Sequence, residues 1–144
     1  MNRVICFCVL MFCLCGKSYS ETAKPVVVLL SIDGFAYDYL HKHQPLNIQA
    51  LSNNGVLAKL QSVYPSKTFP NHLSIITGMY PINHGIAHNT FYNRELGLPY
   101  TLGAGKNNPL WLKADPLWTI AQQQGLKSAV YFWPESEAVG KEPT

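Results

Sequence analysis

The run Val26–Ile32 is almost wholly apolar and rich in β-branched side chains, and it stops at Asp33-Gly34. A strand with one wet face alternates apolar and polar residues. A run without alternation reads as a strand covered on both faces, the pattern of a parallel sheet sandwiched between helices. In open α/β sheets ligands bind beyond the carboxyl ends of the strands. Asp33 therefore stands where a ligand group is expected, with Gly34 allowing a close turn. Read alone, it is equally well a helix-capping aspartate.

The rest of the chain continues the alternation. Pro45 to Asn54 carries Leu46, Ala50 and Leu51 on one helical face, and Gly55 comes next as a stop. Val56 to Val63 reads as a second strand. Leu73 to Thr77 reads as a short helix closed by Gly78, and Leu117 to Gln124 as another closed by Gly125. Lys127 to Phe132 is a third strand, ended by Trp133-Pro134. Residues 79–93 read as a loop and residues 94–115, with several Gly, Asn and Pro, as a long surface excursion held down by tryptophan. Strand, helix, strand, helix implies crossover connections. The expectation is a partial doubly wound α/β domain with a mostly parallel sheet. Three strands make half of such a domain, so the chain reads as truncated.

Between the second strand and its helix lies Pro65 to His72. Thr68 falls on the turn before the helix, with Pro70 in the first turn, where a missing N–H costs nothing. A hydroxyl there faces unpaired backbone N–H groups and the positive end of the helix dipole, a favourable place for phosphate. The alternative is that Thr68 only caps the helix.

Residues 1–20 read as a secretory signal. Arg3 opens it, Val4 to Cys15 is an apolar run of twelve, and Ser18-Tyr19-Ser20 supplies small residues for cleavage. Twelve residues are too few to span a bilayer, which takes about 20. A lipoprotein signal ranks second, because bulky Phe12 and Leu14 precede Cys13 and Cys15. An exported chain, secreted or periplasmic, is the expectation, with residues 21–144 as its catalytic-domain portion. All four cysteines lie in this leader, so the remainder has neither a disulfide framework nor a thiolate metal site. Of eleven Lys and Arg, two lie in the leader, leaving nine against eight acidic residues. A nearly neutral body gives no electrostatic case for binding a nucleic-acid duplex or a membrane surface.

A threonine hydroxyl needs activation to act as a nucleophile. Neither a Gly-x-Ser-x-Gly turn nor a Gly-rich phosphate loop is present. A metal remains, able to lower the hydroxyl pKa and clamp phosphoryl oxygens. Asp33 and Thr68 end two different predicted strands on one sheet edge and could share a divalent ion.

Val28 to Phe35, together with Pro65 to His72, resembles the nucleotide pyrophosphatase/phosphodiesterase family of the alkaline phosphatase superfamily. The likeness continues through Thr77 to Pro81, His84 to Ile86, Asn89, Asn108 to Trp111, Pro116 to Trp118, Gln124 to Ser128 and Phe132 to Pro134. It implies an alkaline-phosphatase-like fold with two zinc ions at the sheet's carboxyl edge. It further implies Asp33 as a zinc ligand and Thr68 as both ligand and nucleophile, forming a covalent threonine intermediate on a nucleotide or other phosphodiester substrate. Asn89 matches the family's amide donor to a non-bridging phosphoryl oxygen; on its own residue type it is a turn asparagine. Phe69 would wall the pocket that stacks the nucleotide base. Lys106 and Trp133 fall where family members line that pocket, against a solvated loop charge and a core aromatic as plainer roles. His72 and His84 read as structural, and His41, His43 and His88 as surface residues. The remaining zinc ligands would lie beyond residue 144. Two other outcomes stay open: a related superfamily hydrolase acting on phospholipid diesters or monoesters, and a non-catalytic remnant.

Overall fold

The computed structural model describes residues 25–143; the leader and its cysteines lie outside them. The chain divides into two units, 1–30 and 31–144, and among the described residues every regular element lies in the second. These elements are α1 (Tyr39–Lys42), α2 (Leu46–Asn53), α3 (Thr68–Thr77), α4 (Pro81–His84), β1 (Phe91–Asn93), β2 (Leu98–Tyr100), a 3₁₀ turn (Ala104–Lys106) and α5 (Leu117–Gln123). Among the described residues no helix is long and apolar enough to cross a membrane.

Helix ends fall close to where the capping residues predict. Gly78 closes α3 with a left-handed φ of 67°, its N–H bonding Ser74 O at 2.9 Å. Gly125, at φ 71°, lies just beyond α5. The start of α3 differs from the expectation. The helix begins at Thr68 itself, with extended Lys67 as the cap and Pro70 in its first turn. Thr68 is thus a helical residue and not an N-cap. The face expected to bury α2 is uncovered, since none of its residues is buried.

The sheet departs furthest from expectation. Val26–Ile32, Val56–Val63 and Lys127–Phe132 form no ladder, and most of their side chains stand open: Val56 is 96% exposed and Tyr131 94%. Extended backbone becomes a strand only when a neighbouring strand takes its N–H and C=O groups, and among the described residues none does. The sheet that does form is the antiparallel pair β1–β2, with Phe91 opposite Tyr100. It lies where the sequence suggested loop and excursion. Asn93 Oδ1 accepts from the N–H groups of Glu95 and Leu96 at 2.9 and 3.1 Å, which folds the chain back into a hairpin.

Residues 94–115 run mostly along the surface, as expected, but pack a few side chains into the core. Tyr100, Trp111 and Leu112 are buried together with Leu73, Ile76, Ile86, Trp118 and Ala138. Phe91, Tyr100 and Trp111 form an aromatic cluster with ring centroids 5.0 to 5.9 Å apart. Aromatic pairs in that range bury large area and add about 0.5–1.5 kcal/mol each. The cluster and the hairpin form the base on which α3 and α4 rest, and α3 carries Thr68.

Candidate active site

Thr68 Oγ1 donates to Asp33 Oδ2 across 3.3 Å, from segments 35 residues apart. The first turn of α3 is less free than its position suggests. Asn89 Oδ1 accepts the Phe69 N–H at 3.0 Å, Pro70 has no N–H, and the Asn71 N–H bonds Lys67 O at 3.2 Å. Among the described residues only the Thr68 N–H of this turn is left without a partner. The Phe69 contact also orients Asn89. With its oxygen committed, the NH₂ is the end left to donate, and among the described residues it has no partner.

The loop before Thr68 is clamped by Asn71, which the sequence did not single out. Its Oδ1 accepts from Val63 N at 2.8 Å, and its Nδ2 reaches Pro65 O at 3.0 Å and Lys67 O at 2.9 Å. The only advance signal was an asparagine one helical turn past the cap. His72 bonds Thr68 O through Nδ1 at 2.8 Å and Ser31 Oγ through Nε2 at 2.9 Å. His84 is fully buried and ties α3 to the turn after α4. Its Nδ1 accepts from Ile86 N, leaving Nε2–H to face Pro70 O and Ser74 Oγ, each at 3.2 Å. Burial holds its pKa below the ordinary histidine value, so the ring is neutral.

Phe69 is half-buried against the core cluster beside Thr68. Trp133 meets the edge of His72 at 5.4 Å and donates from Nε1 to His72 O at 3.3 Å, which anchors it one turn along α3 from Thr68. Lys106 is exposed on the 3₁₀ turn and makes no hydrogen bond or ion pair to the other candidate residues.

A separation of 3.3 Å is long for an O–H···O bond, which centres near about 2.7–2.8 Å. Asp33 and Thr68 thus bring two oxygen donors of the type a divalent ion takes to one point. Among the described residues no group of three or more His, Cys, Asp or Glu could hold a metal, so a two-zinc centre is not complete within them.

The family model for type I phosphodiesterase / nucleotide pyrophosphatase matches residues 27–143. The chain belongs to this family. It is 43% identical over 126 residues to mouse ectonucleotide pyrophosphatase/phosphodiesterase family member 3, covering 83% of this chain. It is 45% identical over 115 residues to venom phosphodiesterase 2 of Crotalus adamanteus, covering 77%. In each case the chain spans only 14% of the relative's length. Among solved structures, an inactive variant of murine ectonucleotide pyrophosphatase/phosphodiesterase 5 in complex with AMP superposes with a TM-score of 0.77 at 29% identity. That match covers 84% of this chain and 34% of that one. The human counterpart gives 0.75 at 31% identity, covering 83% and 33%. The fold of the matched portion is that of these alkaline-phosphatase-like enzymes.

Proposed function

We propose that these residues form the nucleophile-bearing part of an exported phosphodiesterase that cleaves nucleotide phosphodiester or pyrophosphate bonds through Thr68. The observation that carries this is the meeting of the Thr68 hydroxyl with the Asp33 carboxylate at the open first turn of α3. Thr68 Oγ1 attacks phosphorus in line, the bond to the leaving oxygen breaks, and water later cleaves the threonine ester to regenerate the hydroxyl. Asp33 and Thr68 would hold a zinc ion, with further ligands and a second ion supplied from outside residues 25–143. When bound, the metal lowers the hydroxyl pKa and offsets negative charge on the phosphoryl oxygens. The Asn89 NH₂ donates to a non-bridging oxygen, and the Thr68 N–H supplies a second donor at the same helix end. Neutral donors suit a diester with a single charge, where a dianionic monoester would favour an arginine clamp. Phe69 walls the base pocket, with Lys106 and Trp133 as further lining residues. The apolar runs at 26–32, 56–63 and 127–132 would take their places in a mostly parallel doubly wound sheet, a reading their lack of alternation supports. Export rests on the leader pattern in residues 1–20, and fits the extracellular naming of the mouse relative.

The experiment is a chimera in which residues 25–143 replace the matching stretch of the mouse family member 3 enzyme. It should hydrolyse a nitrophenyl nucleotide ester, and Thr68→Ala should abolish turnover while leaving the protein folded. Undiminished turnover in that variant removes Thr68 as nucleophile.

A further inference from the structure

We propose that Ser31 and His72 form a positioning relay that fixes the separation of Asp33 from Thr68; it rests on the assignment of that pair as the reacting site. A carbonyl oxygen only accepts, so the 2.8 Å contact between His72 Nδ1 and Thr68 O requires the proton on Nδ1. In the neutral ring Nε2 is then a bare acceptor, and Ser31 Oγ–H donates to it across 2.9 Å. Ser31 stands two residues before Asp33. The path from Thr68 O through the imidazole to Ser31 and on to Asp33 therefore closes a loop whose last link is the Thr68–Asp33 contact. The Trp133 ring braces the imidazole edge-on and its indole N–H holds the His72 carbonyl, so the ring is steadied from a third segment.

A histidine that only stabilised α3 would need one satisfied nitrogen. Both nitrogens of His72 are engaged, and the second reaches a residue 41 positions away. The carbonyl fixes the direction from His72 to Thr68, and in the neutral ring Ser31 then donates to His72. Positioning residues of this kind matter because displacement of a nucleophile by about 1 Å can cost about 10²-fold in rate.

The test uses the full chain, isotope-labelled, in solution NMR. The His72 ring should show the tautomer with Nδ1 protonated and Nε2 bare. Nuclear Overhauser contact between the Thr68 methyl and the Asp33 methylene should be present. It should be lost in Ser31→Ala and in His72→Asn, whose amide keeps the donor to Thr68 O but cannot reach Ser31. His72→Gln, whose oxygen stands where Nε2 stood, should restore it. Cross-strand signals of Phe91 and Tyr100 report that the hairpin is intact in each variant. An Nε2-protonated ring, or a Thr68–Asp33 contact unchanged in Ser31→Ala and His72→Asn, overturns the relay. None of these readouts involves substrate or metal. A failed relay thus leaves Thr68 as nucleophile untouched, and an inactive chimera leaves the relay untouched.

Discussion

Asn71→Ala isolates the clamp that sets the backbone approach to Thr68. Asn71 Nδ2 lies within reach of three carbonyls but has two hydrogens, so the 3.4 Å contact to Val63 O is the one to discard. Three bonds remain: Val63 N to Oδ1, and Nδ2 to Pro65 O and Lys67 O. The first two are partly buried and contribute about 1 kcal/mol each, while the exposed Lys67 bond contributes about 0.5 kcal/mol. Alanine returns about 0.5 kcal/mol as a better helix former. The net loss is about 2 kcal/mol. With a urea slope of about 1.5 kcal/mol/M, the midpoint falls by a little over 1 M. Asn71→Asp separates the two ends of the amide: it keeps the acceptor for Val63 N but turns both donors into a carboxylate facing carbonyl oxygens. Its loss at neutral pH should match or exceed that of alanine, and shrink in acid as the protonated carboxyl regains one donor. Equilibrium unfolding followed by tryptophan fluorescence reads both. A loss below about 0.5 kcal/mol for Asn71→Ala would show that water replaces all three bonds and that the clamp does not hold the loop.

Glu135 is buried against Gly105 with its Oε2 unpaired, while Tyr100 donates to Oε1. Burial raises its pKa above the ordinary glutamate value of 4.5, with the Tyr100 hydrogen bond opposing. The folded state thus holds the proton more tightly, so this group's contribution is full below about pH 4.5 and declines as pH rises through the raised value. Glu135→Gln should raise the melting temperature near neutral pH and flatten its pH dependence; a steeper decline with pH would refute the upward shift of this buried carboxyl. Gly85→Ala should destabilise by about 2 kcal/mol or more, because φ is 94° and a Cβ would lie 2.6 Å from Trp111 O. Thermal melts that overlay the parent would contradict that packing. Residues 1–144 purified alone should bind zinc weakly and turn over a nitrophenyl nucleotide ester negligibly. Tight stoichiometric zinc by calorimetry, with hydrolysis lost in Thr68→Ala, would show that Asp33 and Thr68 need no further ligands.

Asp33 and Thr68 do meet, although the sheet edge from which the sequence placed them side by side does not form among the described residues. Helix ends were legible for a local reason, since Gly78 and Gly125 supply the left-handed turn that stops each one. The three apolar runs show the opposite limit. Lack of alternation reports that both faces are apolar, but not which backbone lies alongside, and a ladder depends on that second chain segment. Within residues 94–115 the exposed character was legible from composition, but the buried positions were not. The turns at Asn93 and Gly103 are where Asn and Gly signal them, yet Tyr100, Trp111 and Leu112 reach the core at irregular spacing that no period detects. Asn71 was hidden for a related reason: its value lies in three partners upstream, not in its own helical position.

The uncovered run Val26–Ile32 has a practical consequence. It carries neither charge nor proline, and most of its side chains meet water. Short stretches of that character adhere to their own kind before they find a proper neighbour. Handling of residues 1–144 will therefore be governed by concentration: dilute samples should stay clear, while crowded ones should thicken into β-rich aggregates seeded at this stretch.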